Sequence, residues 1–348
     1  LRRQFEWILI IMLAAGCAAQ SIPPTERDYW PTAGWRQAEP ESRGVDAGRL
    51  AALDARIRGE MPHIYSVMVA RQGYVVFERY YQNFYAEFDF EVASITKSIT
   101  SMLMGIALEQ GHIASLDQPV IDFFPEYADR GFDSRTPRIT LRHLLAMTSG
   151  YDWSEAFGWR WPRDGSWMAF ALGMPTAHEP GAVFTYNTPA AHVLSGVITR
   201  ATGMSLAEYA QAVLFGPLGI APPEWSTDPE GYSTGAHALN LRTRDVAKLG
   251  YLVLNRGRWD GRQVVPAAWI GESTRQQSAG GFPQDAPYGY LWWVAPSYGA
   301  AFAAGYGGQY LYIVPSLDLV VVITSETARP HNENRELIEK WVIPAARR

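Results

Sequence analysis

The chain has 348 residues, of which 47% are apolar, 13% aromatic and 19% charged, and its formal net charge is −5. That length suits one large module or two interlocked ones, and the apolar share is that of a globular protein with a well-filled core. An acidic balance with no basic run beyond the N-terminus excludes an electrostatic footprint for nucleic acid, and a single cysteine excludes an intrachain disulfide framework.

The first 17 residues read as a targeting segment. Arg2 and Arg3 form a short basic region, and Trp7 to Ala15 is an apolar stretch of signal-peptide length, too short to span a bilayer. Leu13, Ala14, Ala15 and Gly16 then lead into Cys17, the pattern of a lipoprotein-type signal in which Cys17 becomes the acylated first residue. The alternative is an ordinary secretory signal with an incidental cysteine. Either way the expectation is export across the inner membrane, with a lipid anchor facing the periplasm in the first case. Residues 18–45 are rich in Pro, Arg, Gly and Glu without periodicity and read as a tether.

Periodic structure starts at Asp46, with Leu50, Leu53 and Ile57 at helical spacing over residues 46–60. Tyr65 to Ala70 and Tyr74 to Glu78 read as a β-hairpin turning at Gly73. Ile95 to Gln110 is apolar and small, fitting a buried helix stopped at Gly111. Thr140 to Met147, Ala190 to Ala201 and Leu206 to Phe215 read as helices of a block broken by Pro and Gly. Tyr288 to Val294, Ala300 to Ala304, Tyr310 to Pro315 and Leu319 to Thr324 have strand length and β-rich composition, and residues 333–346 close the chain as an amphipathic helix. The expected fold class is α+β: one antiparallel sheet built from early and late strands, flanked by helices, with an all-helical subdomain inserted. The boundaries are a single catalytic module over 46–345, its α/β part at 46–111 and 245–345 and its helical part at 112–244. Gly250 reads as a helix cap.

Ser94 and Lys97 stand at the start of the buried helix, in Ala93-Ser94-Ile95-Thr96-Lys97-Ser98. Three residues of helix bring two side chains onto one face, about 5–6 Å apart at Cβ. A serine hydroxyl needs a base, and a lysine held neutral by burial can be that base where an arginine cannot. The chain has three lysines against 27 arginines, so this lysine is conspicuous. With 20 serines, a Ser-x-x-Lys still arises by chance in roughly one such chain in six, and context must decide. Downstream, Glu179 to Thr188 ends in Tyr186-Asn187-Thr188 before a helix, and Gly305-Tyr306-Gly307-Gly308-Gln309 precedes a strand. A phenol beside an ammonium can have its pKa lowered and exchange protons; glycines can let substrate approach backbone N–H groups. Taken singly, Tyr186 is equally a core aromatic and Gly307-Gly308 a tight turn.

In this order and spacing, and with Ile139 to Gly150, Leu241 to Gly250 and Tyr288 to Trp293 between them, these stretches resemble the serine β-lactamase and penicillin-binding-protein superfamily. The branch is similar to the class C β-lactamase-like esterases and the aminohexanoate-oligomer hydrolases. The resemblance implies that Ser94 is the acyl-accepting nucleophile, with Lys97 and Tyr186 as a coupled proton-transfer pair. It also implies that the backbone N–H groups of Ser94 and Gln309 face the oxyanion, with Tyr306, Gly307, Gly308 and Thr188 lining the substrate. Two departures bear on substrate. Thr188 lacks the amide of a Tyr-x-Asn motif, and Tyr306 lacks the cation of a Lys-Thr-Gly motif, so a substrate carboxylate loses its partner. Esters and small neutral amides are therefore expected ahead of β-lactams or cell-wall peptides, whose hydrolysis stays as an alternative. A non-catalytic envelope lipoprotein that binds cell-wall fragments is the alternative of another class.

Among the rest, Trp153, Trp159, Trp161 and Trp167 are either core of the helical block or an aromatic wall over the acyl group. Trp292 and Trp293 should point to opposite faces of one strand, leaving one in the core. The seven histidines show no metal spacing, His143 reads as structural, and no cofactor is called for.

Overall fold

The computed structural model describes residues 27–127, 130, 133–155, 162 and 165–347. Cys17, Trp159 and Trp161 lie outside the described residues, as does the signal segment. In chain order the helices are α1 (Ala47–Glu60), α2 (Ile95–Glu109), α3 (Leu141–Leu145), α4 (Trp167–Leu172), α5 (Thr188–Thr202), α6 (Leu206–Ala210), α7 (Thr243–Leu254), α8 (Ala267–Ser273), α9 (Glu333–Leu337) and α10 (Ile343–Ala345). The strands are β1 (Ile64–Arg71), β2 (Tyr74–Tyr80), β3 (Asp89–Glu91), β4 (Asn240–Arg242), β5 (Arg258–Trp259), β6 (Arg262–Gln263), β7 (Ser278–Gly281), β8 (Ala286–Tyr288), β9 (Trp293–Ala295), β10 (Ala300–Gly305), β11 (Gln309–Val314) and β12 (Leu319–Ser325).

One eight-stranded sheet runs in the order β2-β1-β12-β11-β10-β9-β8-β7. The antiparallel pairing of β1 with β12 (Val67 opposite Ile323) places the first hairpin beside the last strands, as the sequence led us to expect. That hairpin turns through Gln72 (φ 52°) and Gly73 (φ 82°), two left-handed residues whose twist matches the strands they join. Strands β10, β11 and β12 are buried at every residue, because both faces of the sheet are covered. Leu311 faces α7, where its Cδ1 would lie 2.6 Å from a Cβ on Gly250. Its neighbour Tyr312 points the other way and donates to Glu339 Oε1 of the C-terminal helical segment at 3.1 Å. Helix α2 packs on β10 and β11 and also on α5, so it forms the seam between the sheet and the helical block.

Several expectations are corrected by this packing. Residues 27–45 are no free tether: Arg27 pairs with both oxygens of Asp318, at 2.6 and 3.0 Å, and Trp30 packs on Tyr251 and Trp259. Composition misled there because three aromatic anchors, Tyr29, Trp30 and Trp35, outweigh the turn-forming residues around them. Gly250 lies inside α7 and caps nothing; a side chain is missing there because the helix approaches Leu311 and Val320 too closely. The stretch Tyr288 to Val294 is two strand ends, β8 and β9, separated by a turn in which Leu291 is left-handed (φ 59°). Both Trp292 and Trp293 are buried, since the turn frees them from strict alternation. The pairing of β3 with β4, which the sequence did not announce, ties the residues just before Ser94 to those after residue 238: Val92 N–H donates to Leu239 O at 2.9 Å.

Candidate active site

Ser94 heads α2, directly after Ala93, which is held left-handed at φ 47°. A non-glycine residue pays strain in that region, and such residues gather where surrounding structure dictates the chain's path. Thr96 Oγ1 donates back to Ala93 O at 2.7 Å and closes the helix start. One turn on, Lys97 reaches back, and its Nζ donates to Ser94 Oγ at 2.7 Å and to Ala236 O at 3.2 Å. The amine is almost wholly buried, and burial pushes its pKa down to about 8, against the opposing pull of the Glu155 charge.

Tyr186 closes the group. It precedes α5, whose N-cap Asn187 accepts from Ala190 N–H at 2.8 Å, and Thr185 N–H donates to Met147 O at 2.8 Å. Its ring stacks on Trp293 (5.6 Å, 18° between planes), and Lys97 Nζ sits 4.9 Å from the ring centroid. The expected lowering of the phenol pKa does not occur. Burial raises it, the nearby Ser94 hydroxyl offsets only part of that rise, and the Glu155 charge raises it further. Burial therefore favours the protonated phenol at neutral pH and, in Lys97, the neutral amine.

Ser94 opens into a cleft of about 440 Å³, walled by Trp153, Tyr186, Trp293, Phe282 and Tyr306. In the Gly305–Gln309 segment Tyr306 and Gly307 line the cleft as expected, whereas Gly308 and Gln309 do not. Gln309 sits in β11, between β10 and β12, so its strand has no free edge, and its side chain is spent on the Ser325 backbone (2.6 and 3.0 Å). Gly307 and Gly308 serve the fold: both are left-handed, and a Cβ would lie 2.1 Å from Glu326 O in one case and 2.5 Å from His331 O in the other. The free edge belongs to β10. Its pairing with β9 covers Ala300 to Phe302 and stops there, so Ala304, Gly305 and Tyr306 present open backbone to the cleft. Gly305 lets this strand sit against the nucleophile's segment, since a Cβ there would meet Val92 O at 2.5 Å. Backbone N–H groups of this edge and of Ser94 are the pair the geometry offers an oxyanion.

Thr188 lines the cleft, but its hydroxyl donates to Glu155 Oε1 and its N–H to Glu155 Oε2 at 3.3 Å. Trp153 Nε1 donates to the same carboxylate at 2.6 Å. Glu155 escaped the sequence analysis because nothing distinguishes it among 35 acidic residues. Of the described tryptophans in the cluster after Gly150, Trp153 is in the wall, whereas Trp167 packs on His192 and His237. His143 is structural: its Nδ1 accepts from Thr140 N–H at 3.1 Å.

Among the described residues, one cluster has metal-ligating types, His63, His331 and Glu333. Its imidazoles are stacked in parallel, 3.7 Å apart and 5° between planes. A metal binds in the plane of an imidazole, and no point lies in both of two parallel planes, so the pair as packed is no ligand set. His331 is held instead between Glu333 and Glu326, at 2.9 and 3.0 Å, behind the Gly307-Gly308 turn.

Comparison with known proteins agrees with this fold. The family profile described as Beta-lactamase matches residues 53–342. The chain is 25% identical over 344 residues to the 6-aminohexanoate-dimer hydrolase of Paenarthrobacter ureafaciens, covering 90% of this chain and 86% of that protein. It is 32% identical over 164 residues to Esterase EstB of Burkholderia gladioli, covering 42% of this chain and 41% of the esterase. Among solved structures, the octameric penicillin-binding protein homologue from Pyrococcus abyssi superposes with a TM-score of 0.70 at 20% identity, over 86% of this chain and 77% of that one.

If neutral Lys97 is the working form, acylation of Ser94 by an activated ester should fall about tenfold per pH unit below 8 and level off above it. Stopped-flow acylation rates across pH 6–10 check this. Lys97→Arg, which cannot shed its proton, should lose about 10²–10⁴ of the rate at every pH.

Proposed function

The chain belongs to the Beta-lactamase family, and on that premise we propose that it hydrolyses neutral carboxylic esters first, and small amides second, through an acyl-enzyme on Ser94. One observation carries the reading: a buried amine, Lys97 Nζ, 2.7 Å from the Ser94 hydroxyl and poised to titrate near neutrality. Neutral Lys97 accepts the Ser94 proton as Oγ bonds to the substrate carbonyl carbon, and the resulting oxyanion draws on the β10 and Ser94 N–H groups. Collapse breaks the bond to the leaving alkoxide or amine. That group takes the Tyr186 proton, which the Lys97 ammonium replaces. Water then enters by the same steps reversed and frees the acid. A binding relic has no use for this buried, desolvated trio.

The cleft supports the substrate class. Among its described lining residues there is no Lys or Arg, and the one formal charge is the Glu155 carboxylate. A β-lactam or a cell-wall peptide terminus brings a carboxylate, which meets repulsion here instead of a fixed cation. The relatives named for ester and for amide hydrolysis support the two bond types proposed. For location, we propose lipid anchoring through Cys17 after export, supported by the basic, apolar and small-residue pattern of residues 1–17.

A short-chain p-nitrophenyl ester should give a burst of nitrophenolate and then turnover, both absent in Ser94→Ala. A chromogenic cephalosporin under the same conditions should turn over at least about a hundredfold more slowly, and rapid hydrolysis of it would sink the substrate reading. Glu155→Gln should raise kcat/KM for a p-nitrophenyl hemisuccinate roughly three- to tenfold relative to the neutral butyrate; an unchanged ratio removes Glu155 from substrate selection. Intact mass of protein isolated from a bacterial host should show a lipidated N-terminus at Cys17, lost in Cys17→Ser, and an unmodified N-terminus elsewhere ends the anchoring proposal.

A further inference from the structure

The second acceptor of Lys97, the Ala236 carbonyl, belongs to no helix or strand. Its position is imposed instead by side chains of α2 and α5. Thr100 Oγ1, one turn beyond Lys97, donates to Gly235 O at 2.8 Å. Gly235 N–H donates to His192 Nδ1 at 3.2 Å, and Ser195 Oγ donates to Ser233 O at 2.5 Å. Gly235 has no room for a side chain, since a Cβ would lie 2.9 Å from Ser195 Cβ and 3.2 Å from Ala191 O. The segment is thus pressed onto α5 at the residue before the carbonyl that meets Lys97.

His192 is fully buried. Because Gly235 N–H is a donor, His192 Nδ1 must be the unprotonated nitrogen, so the ring proton is on Nε2, which donates to Asp228 Oδ2 at 2.9 Å. Asp228 is itself oriented by the N–H groups of Glu230 and Tyr232, each 2.9 Å from Oδ1. The contacts run from the Glu230 and Tyr232 backbone to the carboxylate, to the imidazole, to the Gly235 N–H, and along the Gly235–Ala236 backbone to the carbonyl that meets the amine. We propose that His192, held in one tautomer by Asp228, is a positioning residue for Lys97: it anchors the backbone at the Gly235 N–H, one residue before the Ala236 carbonyl, and so sets the direction in which the amine meets Ser94.

The inference rests on the reading of Lys97 as the base. A lysine amine hangs on a flexible four-carbon stem, and two fixed acceptors are what give it a direction. A displacement of about 1 Å at a reacting group can cost about a hundredfold in rate. The imidazole's two nitrogens can be separated by substitution. His192→Asn keeps an oxygen near the Nδ1 position, able to accept from Gly235. His192→Gln reaches Asp228 but leaves the Gly235 N–H without its acceptor, and His192→Phe does neither.

The test compares acylation by a p-nitrophenyl ester at a temperature where circular dichroism shows every variant folded. His192→Asn should stay within roughly tenfold of the parent, while His192→Gln and His192→Phe should lose roughly 10–100-fold in kcat with KM within about twofold. A merely structural histidine would make the losses follow the melting temperatures, whichever nitrogen is replaced. Equal rates for the Asn and Gln variants, or a folded Phe variant within threefold of the parent, overturn the proposal. Should the His192 variants not fold, Thr100→Val removes only the bond to Gly235 O in an isosteric side chain. It should slow acylation roughly three- to tenfold, and an unchanged rate overturns the proposal equally. Intact mass of the parent separates the two layers: no adduct on Ser94 sinks the reading of the site, whereas an adduct with unaffected variants sinks only the role of His192.

Discussion

Desolvation of the Lys97 amine is the constraint on which the site depends. In water a lysine holds its proton far above neutrality and cannot act as a base there. Here it is buried on the seam helix α2, between the sheet and the helical block, and burial moves it to about 8. That shift requires the rest of the fold: β10 and β11 under α2, α5 beside it, and the β3–β4 pair fixing the segment that leads into Ser94. The same burial acts on Tyr186 in the opposite sense, because desolvation disfavours a phenolate as it disfavours an ammonium. One physical cause therefore moves the two groups apart, favouring a neutral amine and a protonated phenol.

The glycines beside the cleft have a packing cause as well as a place in its wall. Gly307 and Gly308 allow the β10–β11 turn to press against Glu326 and His331, and that turn in turn sets where β10 ends. Past Phe302 the outer edge of β10 has no strand partner, and the open N–H groups there become available to a substrate. Glu155, held by Trp153 and Thr188, then gives the wall its charge. The cleft thus offers exposed backbone and one carboxylate, with no cation from the described lining residues.

Hydrogen-bond networks behind the cleft are satisfied and buried on two sides. Ser325, Asn334 and the stacked histidines back the glycine turn, and Asp228, His192 and Thr100 back the peptide at Ala236. Buried polar groups of this kind are costly unless paired, and when paired they specify one arrangement. A base on a flexible stem gains most from such specification, since its own rotamers give it little.

The amino-acid sequence by itself determined the elements with a strong local cause: the β1–β2 hairpin at Gln72-Gly73, the long helices α1, α2 and α5, and the three late strands. It also singled out Ser94, Lys97 and Tyr186 as candidates by their types and order, and the fold brings the three together. What only the tertiary structure decided are relations with no local signal. Whether Gly250 ends a helix or admits a sheet beneath it depends on Leu311 and Val320, some 60 and 70 residues away in the chain. The ordering of residues 27–45 depends on Asp318, Tyr251 and Trp259. The direction of the Tyr186 shift, the inclusion of Glu155 in the cleft and the exclusion of Gln309 follow from burial and from which strand edge is left open, and these exist only once distant segments have packed.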